Sequence, residues 1–410
     1  MAETGRPDHM ISRRRMLGSA GALVALSSPS WATALGKVVL ESRPWAPEIT
    51  TAFPQKGPML LQRTRPPLLE TPWDVFDKSV FTPNDQFYVR WHWAVIPTSI
   101  DADSYKLNVH GHVNAELSLS LRDIVRDFET VELAAVNQCS GNSRAFFEPQ
   151  VPGAEWGNGA MGNALWRGVR LKDVLDRAGV KGGAAAVRLR GLDEPVVADA
   201  PHFMKSLAVD HARDGEVMIA YASNGAQLPL LNGFPLRLVV PGWYSTYWIK
   251  MLSDIEVLDK PDDNYWMKTA YKVPDTPHAN MIPGEKDVPM VPISRMVPRS
   301  FVTNLASGAK VPAGKAVSVR GIAFGGDCGV ATIDVSVDGG KTWQPARLGK
   351  DEGRYGFRQW NTDVAFAAQG KHAVMVRCTN TDGVSQPATP NWNPGGYMRN
   401  VIETTELVAV

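Results

Sequence analysis

The hydrophobic rhythm of the chain changes along its length. Leu121, Ile124, Val125 and Phe128 recur at helical spacing, as do Leu171, Val174, Leu175 and Ala178. That period predicts two amphipathic helices. Strand-like runs surround them: Tyr105-Lys106-Leu107-Asn108-Val109, Ala186-Val187-Arg188-Leu189, Val217-Met218-Ile219-Ala220-Tyr221 and Leu236-Arg237-Leu238-Val239-Val240. They are rich in β-branched and aromatic residues. The mixture predicts an α+β domain. A Pro-rich irregular stretch, 35–60, leads into it, and a second proline-bearing stretch, 282–298, reads as a linker.

Beyond the linker the rhythm becomes purely two-residue. Val317-Ser318-Val319-Arg320-Gly321-Ile322-Ala323 alternates, and so does Ala331-Thr332-Ile333-Asp334-Val335-Ser336-Val337. The second run ends in Asp338-Gly339-Gly340-Lys341, a hairpin turn signal. His372-Ala373-Val374-Met375-Val376-Arg377 adds a strand. Short strands at regular spacing predict an immunoglobulin-like sandwich. The expected divisions are 1–34, 35–290 and 291–410.

The first 34 residues read differently from the rest. Ser12-Arg13-Arg14-Arg15-Met16-Leu17 is a twin-arginine pattern, followed by the weakly apolar run Gly18-Ser19-Ala20-Gly21-Ala22-Leu23-Val24-Ala25-Leu26. Trp31-Ala32-Thr33-Ala34 then offers an A-x-A cleavage site. Together these predict an export signal and a periplasmic mature protein. The apolar run is too short for a permanent membrane anchor. Residues 1–34 hold four Arg and two acidic residues, so their removal takes the net charge from +1 to −1. No basic surplus points to nucleic acid and no charge run points to a membrane surface.

Three cysteines make no disulfide framework. The spacing of Cys328 and Cys378 does not show whether they pair. Cys139 stands apart, in Val136-Asn137-Gln138-Cys139-Ser140-Gly141-Asn142-Ser143-Arg144. Small polar residues and a following Arg suit a thiolate held at a site; a buried Cys packing as a small hydrophobe is the alternative. Other cofactor patterns are missing from the sequence. It has no Cys-x-x-Cys-His for covalent haem, no Gly-x-Gly-x-x-Gly after a strand, and no His-Glu-x-x-His.

Several ordered segments resemble the sulfite oxidase family of molybdenum enzymes, and within it the bacterial sulfite dehydrogenases. They are Phe87-Tyr88-Val89-Arg90-Trp91-His92, the Cys139 segment, Glu155-Trp156, Asn232-Gly233-Phe234-Pro235-Leu236-Arg237, Val239-Val240-Pro241-Gly242, and Val337-Asp338-Gly339-Gly340-Lys341-Thr342-Trp343. The likeness runs over roughly residues 60–410. It implies a catalytic domain of the sulfite oxidase type, followed by a sandwich through which the protein forms a homodimer. It also implies molybdenum held by a pyranopterin dithiolene (molybdopterin), with Cys139 as the protein ligand. Arg90, His92, Asn232, Arg237 and Lys250 match cofactor-binding positions. Arg90, Arg144, Trp156, Tyr271 and Arg399 match the substrate pocket. The implied reaction is oxidation of sulfite to sulfate, with electrons passed singly to an external periplasmic cytochrome c and no haem in this chain. Asn232 stands where many relatives carry His, and Tyr247 where the vertebrate and plant forms carry Arg. A reductase of the same fold, of the methionine sulfoxide reductase type, and a non-enzymatic binding protein with an inert Cys139 are the rival readings.

Overall fold

The computed structural model describes residues 47–410. The twin-arginine pattern and the cleavage site lie outside the described residues. The described residues form one compact unit. Strands dominate it. Most of its helices are a single turn, and the longest are Leu121–Asp127 and Leu171–Ala178. The α+β expectation is therefore corrected toward β. The two expected helices exist, and each has a local cause. Ser120 and Asp123 form a capping box ahead of Leu121. Gly179 ends the other helix in the left-handed region, φ 69°.

Two five-stranded sheets carry the N-terminal part, the first mixed and the second antiparallel. One has the order Met204–Ala208, Ala186–Arg190, Asp254–Leu258, Lys106–Gly111, Leu117–Ser120. Its central pair, Asp254–Leu258 and Lys106–Gly111, is parallel. The other runs Ala226–Gln227, Met218–Ser223, Met161–Arg170, Thr130–Gln138, with Arg237–Val239 also paired to Met218–Ser223. A four-stranded antiparallel sheet of Glu48–Thr50, Met59–Arg63, Leu68–Glu70 and Val89–Arg90 lies beside them. The 35–60 stretch is thus partly strand.

The strand Thr130–Gln138 alternates at its start and is fully buried over its last five residues. It therefore enters from solvent and delivers Cys139 to the interior. The 282–298 linker is also structured. Met290–Pro292 pairs with Lys272–Pro274, and Ile293 N–H donates to Tyr271 O at 2.8 Å. That pairing fixes Tyr271, whose φ of 55° a free Tyr rarely adopts.

The C-terminal part packs a four-stranded sheet (Arg299–Val302, Ala316–Phe324, Arg358–Ala365, Arg347–Leu348) against a five-stranded one. The second contains Ala309–Val311, Glu403–Ala409, Gly370–Asn380, Val330–Ser336 and Gln344–Pro345. Val319, Ile333, Val335, Trp360, Val374, Val376 and Leu407 form a core of their own between the sheets. Inward alternation along each strand produces it. Cys328 and Cys378 are both free thiols.

Candidate active site

The turn after Thr130–Gln138 is built to hold Cys139 still. Cys139 N–H donates to Ala160 O at 2.9 Å, and Asn142 N–H returns to Cys139 O at 3.0 Å. The Asn142 side chain accepts from Ala160 N–H at 2.9 Å and donates to Asn158 O at 3.1 Å. Two loops, 139–147 and 155–160, are thereby laced together. Glu70 fastens the second loop from behind, accepting from Gly157 N–H at 3.0 Å and Gly159 N–H at 2.8 Å. Burial pushes the Glu70 carboxyl up to about 7, against those donated bonds.

Ser143 adopts φ 68°. Both terminal nitrogens of the buried Arg299 donate to its hydroxyl oxygen at 3.1 Å, and that hydroxyl donates to Asn158 Oδ1 at 2.6 Å. Arg299 also pairs with Glu403 at 2.6 Å. A charge from the C-terminal sandwich therefore fixes the Cys139 turn. Removing one member of a buried charged network strands the others. Arg299→Met is expected to lower the unfolding free energy by about 3–5 kcal/mol. Denaturant titration of both proteins checks this.

Arg144 leaves the same turn. Its Nε and Nη2 donate to Gly395 O at 3.3 and 3.1 Å, and Nη1 to Ala154 O at 3.1 Å. The guanidinium lies over the Tyr397 ring, 5.3 Å from its centre. Three of its five N–H groups are occupied, and two remain for a guest. Its channel demands glycine. A Cβ on Gly141 would stand 2.3 Å from Arg144 Nη2, and one on Gly396 would stand 2.7 Å from Nε.

Around Cys139 the structure gathers most of the predicted residues. A narrow cavity is lined by Arg90, His92, Cys139, Asn232, Arg237, Lys250 and Tyr271, with Tyr88, Phe203 and Thr246. A second cavity shares Arg90, His92, Cys139 and Tyr271 with it and adds Arg144, Trp156 and Tyr397. Arg399 is the exception. It lines neither cavity and instead faces a separate groove with Phe146 and Glu403. Its Nη1 donates to Glu403 at 3.2 Å. The chain's tail does return to Cys139, but through Met398 N–H, which donates to Ser140 O at 2.9 Å, and through Tyr397. The salt bridge to Glu403 turns the next side chain away, so the expected pocket role of Arg399 is corrected.

Electrostatics define what the first cavity can hold. Arg237 is buried between Trp166 and Trp248, and donates to Asn232 O at 2.8 Å and Asn137 Oδ1 at 3.1 Å. Lys250 sits over Trp91 at 4.4 Å. Lys56 donates to Asn232 Oδ1 at 2.8 Å and to Phe87 O at 2.7 Å. Lys205 donates to Trp266 O at 2.6 Å. Burial drives Lys56, Lys205 and Lys250 down to about 7, and Arg237 to about 10. Burial, then the charge of Arg90, holds His92 well below its usual range. The His92 ring touches the Tyr271 hydroxyl and stacks on Phe203 at 3.5 Å. Burial raises the Tyr271 hydroxyl, so it stays protonated.

Arg90, Arg237 and Lys250 lining one buried space, with Lys56 and Lys205 buried nearby, demand an anion. Among the described residues, Arg90 Nη1, Arg237 Nε, His92 Nδ1, Asn137 Nδ2 and Thr246 Oγ1 are buried without a hydrogen-bond partner. Unsatisfied donors, a cationic wall and a soft sulfur in one space fit an anionic pterin dithiolene carrying a thiophilic metal. A stability prediction follows for the protein free of cofactor. Its lysines have folded values near 7 and unfolded values near 10.5. Between those limits the unfolded chain binds more protons, so stability rises with pH. The melting temperature of the cofactor-free protein is expected to climb from pH 7 to pH 10, and much less in the loaded protein, where the anion keeps the lysines charged.

Sequence reasoning missed Lys56, Lys205, Tyr88, Thr246 and Tyr397. Lys56 lies in the stretch taken as irregular, and nothing local marks it. Lys205 did carry a signal, a charge inside the apolar run Phe203-Met204-Lys205-Ser206-Leu207.

Comparison with known proteins agrees with this geometry. Residues 93–266 match the oxidoreductase molybdopterin binding domain, and 291–405 the Mo-co oxidoreductase dimerisation domain. The mitochondrial sulfite oxidase of Macaca fascicularis is 33% identical over 382 residues, covering 87% of this chain and 68% of the relative. The sulfite oxidase of Gallus gallus is 32% identical, covering 89% and 82%. In fold, the chain is similar to the sulfane dehydrogenase SoxCD from Paracoccus pantotrophus, with a TM-score of 0.72, 23% identity, and coverage of 95% of this chain and 97% of that one.

Proposed function

The chain belongs to the sulfite oxidase family of molybdenum oxidoreductases, and from that premise we propose that it oxidises sulfite to sulfate and passes the electrons singly to an external cytochrome c. The observation that carries this reading is the shared wall of the two cavities. There Cys139 meets the cation cradle on one side and the Arg144, Trp156 and Tyr397 pocket on the other.

In this reading Cys139 is the thiolate ligand. Arg90, His92, Asn232, Arg237 and Lys250 hold the pterin and its phosphate, while Lys56 braces Asn232 and Lys205 braces Trp266. When bound, the cofactor supplies two-electron oxygen-atom chemistry. The chain supplies the rest. Arg90 and Arg144 replace the water of a small hydrated anion with directed donors. Arg144 is pinned by Gly395 and Ala154 carbonyls, so its remaining N–H groups are aimed before the anion arrives. Trp156 closes the pocket to bulk water. Tyr271 keeps its proton and offers it as a hydrogen bond, with the neutral His92 as its partner.

The family match over 291–405 supports a homodimer formed through an immunoglobulin-like sandwich, and the twin-arginine pattern supports export to the periplasm. The experiment is anaerobic turnover of purified protein with sulfite, using cytochrome c or ferricyanide as acceptor and dioxygen as control. Reduction of cytochrome c at two per sulfite is expected. Matching peroxide production from dioxygen with no cytochrome reduced would identify an oxidase instead.

A further inference from the structure

The wall of the cavity leads outward through aromatic rings. Trp266 lies 5.1 Å from the His92 ring and 6.3 Å from Tyr271, centre to centre. It also lies 5.1 Å from Tyr265, which is 47% exposed. Trp266 is held firmly: its Nε1 donates to His202 O at 2.7 Å, and its carbonyl accepts from Lys205 at 2.6 Å. Packing alone does not require this path to end at solvent, since large aromatics usually finish inside.

Where the rings surface, the apolar character continues. Val95, Val196 and Val197 are 46%, 57% and 60% exposed. Glu194 N–H donates to Val95 O at 2.9 Å, which sets the 194–202 loop beside residue 95. The same loop carries His202, whose carbonyl holds Trp266. Trp93, two residues before Val95, packs on Trp266 at 6.1 Å. The chain flanking these residues is charged: Glu194, Asp199, Asp259 and Asp263 against Lys260 and Lys268, with Glu194 touching His202 at 2.8 Å and Asp262 engaged by Arg188. An exposed apolar patch with a charged rim marks an interaction surface, and an acidic rim selects a basic partner.

We propose that the face formed by Val95, Val196, Val197 and Tyr265 docks a soluble one-electron haem carrier with a basic contact face, and that Trp266 carries electrons to it from the cavity. This rests on the sulfite-oxidising reading. Sulfite and water give sulfate, two protons and two electrons, and each electron reduces one ferric carrier to ferrous. Two dockings per turnover require a contact that releases quickly, which suits a small patch held by charge. The pocket of Arg144 and Tyr397 stays free for sulfite while the carrier is bound.

The test compares wild type with the double variant Asp199→Lys, Asp263→Lys, using a basic cytochrome c and ferricyanide as acceptors. At low ionic strength the KM for cytochrome c is expected to rise at least about tenfold, the lower end of electrostatic steering effects. The difference should shrink as salt is added. The KM for anionic ferricyanide should fall or stay level, and the KM for sulfite should hold. Trp266→Leu and Trp266→Phe test the path: oxidation of sulfite-reduced enzyme by cytochrome c should slow at least tenfold in the first and recover in the second. An unchanged cytochrome KM and salt dependence in the charge variant would overturn the docking face. Equal oxidation rates in the Leu and Phe variants would overturn the path. Failure of sulfite to reduce the wild-type protein would instead defeat the reading of function.

Discussion

Cys139→Ser protein is expected to fold, and to lose sulfite-dependent electron transfer completely. The substitution is nearly isosteric. Cys139 is held by its backbone, through Ala160 O and Asn142 N–H, and its side chain contributes little to the turn. Stability should change by less than about 1.5 kcal/mol. The chemistry changes far more. A soft thiolate becomes a hard hydroxyl that stays protonated at neutral pH and binds a soft-ligated metal poorly. The cation cradle of Arg90, Arg237 and Lys250 is untouched, so pterin should still be recovered from the variant. Thermal melting, pterin fluorescence after extraction and turnover check the three statements separately. Near-normal turnover in metal-loaded Cys139→Ser would remove Cys139 from the centre.

Arg144→Met is the second large effect. It removes a guanidinium that lines the pocket and whose channel is shaped by Gly141 and Gly396. Loss of one charged donor to a partly desolvated anion costs about 1.5–3 kcal/mol, or ten- to a hundredfold in kcat/KM. The loss should fall mainly on KM, with molybdenum content unchanged. Arg144→Lys should recover part, because Lys lacks the planar paired donors. Arg399→Met is the contrast. Its guanidinium answers to Glu403 and faces another groove, so its effect on the KM for sulfite should be much smaller than that of Arg144→Met. Steady-state kinetics of the three variants measure this directly.

What was legible in the sequence follows from what is local. The helices at 121 and 171 were visible because their apolar stripes are short-range. The sandwich strands were visible because alternation and the Asp338-Gly339-Gly340-Lys341 turn are short-range too. The Cys139 segment was conspicuous by composition. The share of strand was underestimated because strands run through segments without an apolar pattern: Met161–Arg170 spans ten residues and includes Gly162, Asn163 and Gly168. Asn163 reaches across to Val80 O, and Gly168 lets Ile219 O approach closely. Neither contact shows in a hydrophobic pattern. The site was legible only where a residue sits in a distinctive segment. Lys56 bonds Asn232 across 176 positions, and Arg299 reaches Ser143 across 156. Such pairings are set by tertiary approach. Arg399 failed for the converse reason: its segment does reach the site, but Tyr397 is the side chain that enters, and Glu403 holds Arg399 outside.

The central claim is that sulfite delivers its electrons at the cavity where Cys139 meets Arg90, Arg144 and Tyr271. The most direct measurement is anaerobic titration of the oxidised, molybdenum-replete protein with sulfite, with product sulfate and reduced cytochrome c counted together. The account predicts one sulfate and two reduced cytochromes per sulfite, lost in Cys139→Ser. Molybdenum-replete wild-type protein that forms no sulfate and reduces no acceptor would contradict it.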